Sequence, residues 1–256
     1  MKFNRNGMVV YEGPSQLDGK PIVVIITGFT RTGNRKTGTS LQSWIMRRDM
    51  PPCEAANQNL DKSICGECKH RKWGTCYVNL GHGPYNVYRS YKSGRYGQLD
   101  YDKLKGRTLR IGSYGDPAAV PYDVWLDLVP RLDGATGYTH QWRNCDIRIS
   151  TFCMASVETP AEAMQAKSLG WRTFRVIQEG ENLFNDEYIC PADKKNGAKT
   201  TCDKCLACSG YMSDLKKNPV TYLHGSNFKV RRYRLITDLR KKKKKFSHLL
   251  PSRIAV

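Results

Sequence analysis

The chain has 256 residues, the length of one domain with elaborations rather than of two large domains. With 39% hydrophobic and 25% charged residues it has enough apolar side chains to bury a core, which excludes a wholly disordered chain. The longest apolar run, Ile22 to Ile26, falls far short of the ~20 residues of a membrane span, and the N-terminus carries no apolar secretory stretch. No membrane span is therefore expected, and the expected location is the cytoplasm. The 42 Lys and Arg residues against 23 Asp and Glu give a net charge of +19. Residues 227–256 hold 11 basic side chains and one acid, a net +10, and the rest of the chain keeps +9. Body and tail are both basic, which points to a polyanionic partner, nucleic acid first and an anionic membrane surface second.

In chain order, the polar, Gly-rich first 20 residues read as an exposed edge or hairpin. PIVVIIT, over Pro21 to Thr27, is a short β-branched run closed by Gly28 and predicts a strand. The loop GFTRTGNRKTGT that follows can offer backbone N–H groups together with Arg31, Arg35 and Lys36 to a phosphate. It lacks the Walker A pattern, and a solvated surface loop explains it equally well. Residues 53–76 are turn-rich and too polar to fold on apolar packing, a gap that a bound metal fills. Pro84 then opens a helix with Tyr85, Tyr88 and Tyr91 three residues apart. That aromatic face suits the core or, beside Arg89, Lys92 and Arg95, a surface on which bases stack.

From residue 107 the segments TLRIGSYG, VPYDVWLDLVPRL, ATGYTHQW, CMASV, PAEAMQAKSLG and WRTFRVI alternate strand and helix. Val124, Leu128 and Leu132 share one side of the first helix. Thr159, Pro160 and Glu162 form a capping box at the second, which Gly170 ends. The expected fold is α/β, with repeated βα units forming a parallel sheet as a complete or partial TIM-like barrel. One domain spans 1–226, with Cys-rich metal-binding insertions at 53–76 and 190–208, and 227–256 is expected to be a flexible basic tail.

Parallel βα folds gather their chemistry where strands end. The strand ends offer Ser113, Tyr114 and Asp116, then Tyr138, Thr139, His140 and Gln141, then Ser156, Glu158 and Glu179. Ser113, Asp116, Tyr138 and His140 are the candidate catalytic groups among them. His140 titrates near neutrality and suits a general base or a metal ligand, or else a hydrogen-bonded structural histidine. Asp116 is explained as well by a turn before Pro117. In the tail, KVRRYRLI and the lysine run offer Arg231, Arg232, Arg234, Lys241, Lys242, Lys243, Lys244 and Lys245 to phosphates without sequence preference.

Ten cysteines are too many to be incidental in a reducing compartment, and eight fall in two groups. Cys190, Cys202, Cys205 and Cys208 give a remote Cys-Pro followed by C-x2-C-x2-C, a complete ligand set for tetrahedral zinc and equally for an iron–sulfur cluster. The first group is less regular. Cys65 and Cys68 form a pair, Cys76 is the third ligand, and Cys53 or His70 is the fourth. Closed, such a site clamps a loop; with an open position it can be catalytic. Cys145 and Cys153 lie in apolar surroundings and read as small buried thiols.

Together NRKTG, ICGECKHR with GTCYVNLG, RIGSYGDPAAVP, GYTHQW, MAS, GWRTFRV, and ICPA with TTCDKCLACSG resemble a family of uncharacterised bacteriophage-encoded proteins, over most of residues 34–210. More distantly, a cluster ending in Cys-Tyr before a strand ending in Gly-Asp is similar to phage proteins with a radical-SAM-like barrel. The resemblance implies a bacterial host cytoplasm, a genome-linked role and, through the second likeness, S-adenosylmethionine as a cofactor. Radical-SAM enzymes use C-x3-C-x2-C, whereas this chain has Cys65-x2-Cys68-x7-Cys76. Three functions compete on these grounds: a metal-dependent nucleic-acid-modifying enzyme, a non-enzymatic nucleic-acid-binding protein with structural zinc, and a protein that binds an acidic host partner. The sequence does not set the oligomeric state.

Overall fold

A computed structural model describes residues 6–30, 33, 35–210 and 217–247 of the chain, without the side chains of Lys72 and 241–247. Ten strands form one sheet in the order β4-β1-β2-β3-β5-β6-β7-β8-β10-β9. Strands β1 (Gly7–Pro14), β2 (Pro21–Thr27) and β3 (Leu41–Arg47) make an antiparallel meander, so the expected N-terminal hairpin and the PIVVIIT strand are both present. Ile22 to Ile26 are fully buried, which is what an apolar run without alternation demands. The short β4 (Gly97–Gln98) pairs parallel with β1 and closes that side of the sheet.

From β3 onward every pairing is parallel. β5 (Thr108–Tyr114), β6 (Gly134–Thr139), β7 (Met154–Val157) and β8 (Thr173–Ile177) add in sequence order, followed in space by β10 (Asn218–Tyr222) and β9 (Glu187–Ile189). A sheet that grows along one direction is singly wound, and its loops converge on one mouth. The alternation from residue 107 is thus present, and the fold is α/β with a mostly parallel sheet. The complete barrel is corrected: β4 and β9 remain unpaired edges and the sheet stays open.

Between β3 and β5 lie α1 (Pro52–Asn57), α2 (Lys62–Cys65), α3 (Lys69–Lys72) and α4 (Gly83–Lys92). On α4 Tyr88 is buried, Tyr91 is half-buried against the core and Tyr85 is exposed, so the aromatic face serves the core at two of its three positions. α5 (Tyr122–Leu128) buries Trp125 and Leu128. α6 (Pro160–Ser168) starts as the capping box predicts, with the Glu162 N–H donating to Thr159 Oγ1 at 3.2 Å. α7 (Cys202–Cys205) is a single turn.

Within the segment expected as a basic tail, Asn227–Ser247 form a 21-residue helix, α8. Its Tyr233 is buried and anchors it to the body, an apolar contact hidden among basic residues in the sequence. Residues 248–256 lie outside the described residues. Among the described residues no helix is long and apolar enough to cross a membrane.

Candidate metal centre

A cavity of about 500 Å³ opens at the C-terminal ends of the parallel strands. Cys65, Cys68 and Cys76 stand in its wall, each brought there by a different local device. Asp116, just past β5, donates its N–H to the Ile64 carbonyl at 2.6 Å and seats α2. Gln141, just past β6, clamps the turn that follows. Its Nε2 donates to the Cys65 carbonyl at 3.0 Å, and its Oε1 accepts from the Glu67 N–H at 3.1 Å. Gly66 between them has φ +52° and ψ −130°, and a Cβ there would lie 2.3 Å from Gln141 Oε1, so only glycine fits. Thr75 and Cys76 are held by their N–H groups on the His70 carbonyl.

The three thiols sense one another. Burial first, and then charge on Cys68 and Cys76, pushes the Cys65 thiol well above its ordinary value. Burial likewise raises Cys76. Cys53 does not join them. It sits on α1, outside the cavity wall, leaving three thiols and no fourth cysteine at the mouth.

The candidate catalytic groups divide. His140, the first residue after β6, faces the cavity. Burial opposes its charge, but the charge and hydrogen bond of Cys68, together with Glu158 and Asp116, carry its pKa up to about 10. Asp116 is buried and saturated: its carboxylate accepts from the Ala118 N–H at 3.0 Å, Thr139 Oγ1 at 2.7 Å and the His140 N–H at 2.8 Å. It braces the β5 and β6 ends and positions His140. Ser113 lines the cavity and donates to Gln42 Oε1 at 2.7 Å. Tyr138 stacks on Phe174 at 4.1 Å between ring centroids, and burial pushes its phenol well up. Glu179 lies away from the cavity, paired with Lys195 and, at 3.9 Å, with Arg234 of α8.

Glu158, at the end of β7, is the hub that the sequence offers without distinguishing it. Its Oε2 accepts from Lys69 Nζ at 2.7 Å, and Lys69 also bonds Glu162. Glu162 Oε2 in turn accepts from the Glu158 N–H at 3.0 Å. Burial disfavours the charge of Glu158, yet His70, His140 and Lys69 hold the Glu158 carboxyl far below the carboxylate range. Lys69 and Glu162 carry no motif of their own as site residues: one follows Cys68 in sequence and the other looks like a plain helix cap.

The second cysteine group lies beyond the cavity wall, with Cys202 against the segment before β3, Cys208 against β6, and Cys190 just past the end of β9. The Cys202 N–H donates to the Lys36 carbonyl at 2.8 Å, the Thr39 N–H to Asp203 Oδ2 at 2.8 Å, and the Gly137 N–H to the Cys208 carbonyl at 3.2 Å. Cys190, Cys202 and Cys208 are buried and none lines the cavity. Tyr138, hydrogen-bonded to Cys208, and Arg110, 4.5 Å from the Tyr138 ring, form the partition between the group and the cavity. Arg110 has no motif to mark it in the sequence.

The loop expected to bind phosphate therefore supports this group. Lys36 reaches the cavity, Arg35 is exposed, and Arg31 lies outside the described residues. Neither cysteine group gathers three thiol sulfurs within 4.8 Å of one another. Tetrahedral zinc needs S···S separations of roughly 3.8 Å, from its 2.3 Å bonds, so both donor sets are spread more widely than one ion takes.

On α8, Tyr233 stacks on His70 at 5.5 Å and 16°, Arg240 lies 4.4 Å from the Trp73 ring, and Lys229 Nζ donates to the Val78 carbonyl at 3.2 Å. The basic helix thus packs on the loop that carries Cys68 and Cys76, with Arg231, Arg232 and Arg234 on it. Lys241 to Lys245 continue the helix, with side chains outside the description. Comparison with protein-family models, with curated proteins and with solved structures finds no match for this chain.

Proposed function

We propose that the chain is a metal-cluster enzyme that modifies or processes nucleic acid in an infected bacterial cytoplasm, with a partial TIM-like barrel as its scaffold. The observation that carries this reading is the open three-thiol wall: Cys65, Cys68 and Cys76 face a cavity at the strand ends with no fourth cysteine beside them. An iron–sulfur cluster held by three thiolates keeps one iron open to a ligand, and the wide spacing of the thiols favours a cluster over a single zinc ion. When bound, such a cluster supplies one-electron chemistry for S-adenosylmethionine. The protein's own part is to keep water out and hold the ligand. Phe174 and Tyr138 offer aromatic wall, while Ser113, His140 and Lys36 offer polar groups at defined places. Cys190, Cys202, Cys205 and Cys208 suit a second, closed cluster. The basic helix α8 beside the mouth favours nucleic acid as the substrate, because phosphates tracked by Arg231, Arg232 and Arg234 would lead a strand past the opening.

The test is anaerobic purification and reconstitution with iron and sulfide, followed by iron and sulfide counts and electron paramagnetic resonance of the dithionite-reduced protein. Two clusters are expected, with S-adenosylmethionine perturbing the signal that Cys65→Ser removes and not the one that Cys202→Ser removes. In the presence of nucleic acid and dithionite, the cofactor is expected to be consumed to methionine and 5′-deoxyadenosine. A colourless protein that holds only zinc, and whose nucleic-acid binding falls steeply with salt, would overturn this in favour of a non-enzymatic binder.

A further inference from the structure

We propose that His70, His140 and Glu158 form a binding site for a divalent transition ion that uses no thiol ligand and adjoins the first cysteine group, where Cys68 hydrogen-bonds His140. The three residues come from three elements: the turn of α3 and the ends of the adjacent strands β6 and β7. Each presents one donor atom, and the three donors lie within 4.8 Å of one another, the only such group of His, Cys, Asp and Glu among the described residues.

The second observation is an orphaned oxygen. The Glu158 side chain is 6% exposed, and its Oε2 is taken by Lys69, but its Oε1 is buried with no hydrogen-bond partner. His70 Nε2 stands 3.6 Å and His140 Nδ1 3.5 Å from that oxygen. These separations are too long for hydrogen bonds. They suit an ion that bonds nitrogen and carboxylate oxygen at roughly 2.0–2.2 Å and sits between all three. A buried carboxylate oxygen facing two imidazole nitrogens at this range has its charge directed at a gap, which a cation fills.

The surroundings prepare the ligands. His70 Nδ1 lies 3.0 Å from Thr75 Oγ1; a proton donated there leaves the Nε2 lone pair facing Glu158, the way a ligating imidazole is oriented. Tyr233 stacks on the same ring and fixes its plane. Two imidazoles and one monodentate carboxylate are the donor set of borderline ions such as zinc, cobalt and ferrous iron rather than of calcium or magnesium. His70 and His140 also line the large cavity, and Glu158 and His140 line a smaller crevice of about 80 Å³ beside it, so an ion here would keep a position open to water or substrate.

Cobalt(II) separates this site from the cysteines, because only thiolate ligands give intense near-ultraviolet charge-transfer absorption. Metal-free, reduced full-length protein is titrated anaerobically with cobalt, and bound equivalents are counted against that absorption. Relative to the wild type, the near-isosteric Glu158→Gln is expected to lose one cobalt equivalent with the charge-transfer intensity unchanged, and His70→Ala to do the same. Thr75→Val is expected to keep the equivalent and bind it about 10-fold more weakly. Cys202→Ser is expected to lose charge-transfer intensity while keeping the thiol-independent equivalent. If folded Glu158→Gln binds as much cobalt as the wild type, or if the lost equivalent takes thiolate absorption with it, the three side chains are an ion-pair network and the proposal fails.

Discussion

The two cysteine groups share a beginning, a cysteine and then C-x2-C twelve positions on, and the fold puts them to opposite uses. Cys65, Cys68 and Cys76 stand at the C-terminal mouth of the strands, on a loop held by the Gln141 and Tyr233 side chains and by the backbone N–H of Asp116. Cys190, Cys202 and Cys208 are buried behind Tyr138 and Arg110, on segments fastened by backbone bonds to Lys36, Gly137 and Val220 and by the Asp203 and Asp193 carboxylates. The first group faces the cavity, whereas in the second three thiols are buried away from it and Cys205 is partly exposed. Spacing in sequence specifies which thiols are near one another; the side of the Tyr138 and Arg110 partition they reach decides whether a molecule in the cavity can meet them.

The largest expected effect breaks this comparison directly. With metal bound, a closed site contributes its binding free energy to folding. Cys202→Ser is expected to lower the thermal midpoint of metal-loaded protein by roughly 10 °C, the scale of several kcal/mol for a chain of this size. Cys65→Ser is expected to lose the first site's metal and any turnover while moving the midpoint by only a few degrees. Differential scanning calorimetry on the loaded proteins reads both. Equal destabilisation would make both groups structural clamps and remove the reason for separating them.

A smaller effect sharpens the role of the clamp around the open group. Gly66→Ala forces an L-residue into a backbone region that favours glycine and drives its Cβ into Gln141 Oε1. The strain costs about 2 kcal/mol, and the displaced Gln141 no longer holds the Cys65 turn. The expected outcome is selective loss of metal from the Cys65 group, with the second group still loaded, read by metal content and spectrum. Full retention at both sites would show that the turn finds its place without Gln141.

Much of the scaffold was readable from local pattern. β2 announces itself by an unbroken β-branched run, and the β5-to-β8 alternation by periodicity changing from two to 3.6 with capping signals at the switch. Cysteine spacing marked the two groups, and strand-end logic brought His140 and Glu158 into view. Three things lay beyond local pattern. The closure of the sheet depends on how many strands pair, which no single segment encodes. Asp116 looked like a candidate acid because sequence cannot count the three donors that saturate it. The α8 segment looked like a solvated tail because its charge dominates its composition, while one residue, Tyr233, finds a stacking partner in His70, 163 positions earlier.

The smallest effect concerns the edge that carries the closed group. Asp186 ties the loop before β9 to β10 and to α6. Its carbonyl accepts from the Asn218 N–H at 2.6 Å, and its Oδ2 accepts from Asn218 Nδ2 at 3.0 Å and pairs with Lys167 Nζ at 2.5 Å. Burial alone would raise its pKa, but the bonds from Lys167 and Asn218 and the Lys167 charge bring it below the ordinary 3.8. A carboxylate with a depressed folded-state pKa stabilises the fold above its unfolded pKa and loses that contribution as pH falls through the folded value. The side chain is 36% exposed, so solvent screening limits the contribution to less than about 1 kcal/mol. Asp186→Asn keeps the shape and removes the charge. Urea midpoints of wild type and variant are therefore expected to differ slightly near pH 7 and to converge below about pH 4. A gap that persists at a pH where the folded-state carboxylate is itself protonated would mean that neutral hydrogen bonding to Asn218, rather than the Lys167 ion pair, fastens the β9 edge.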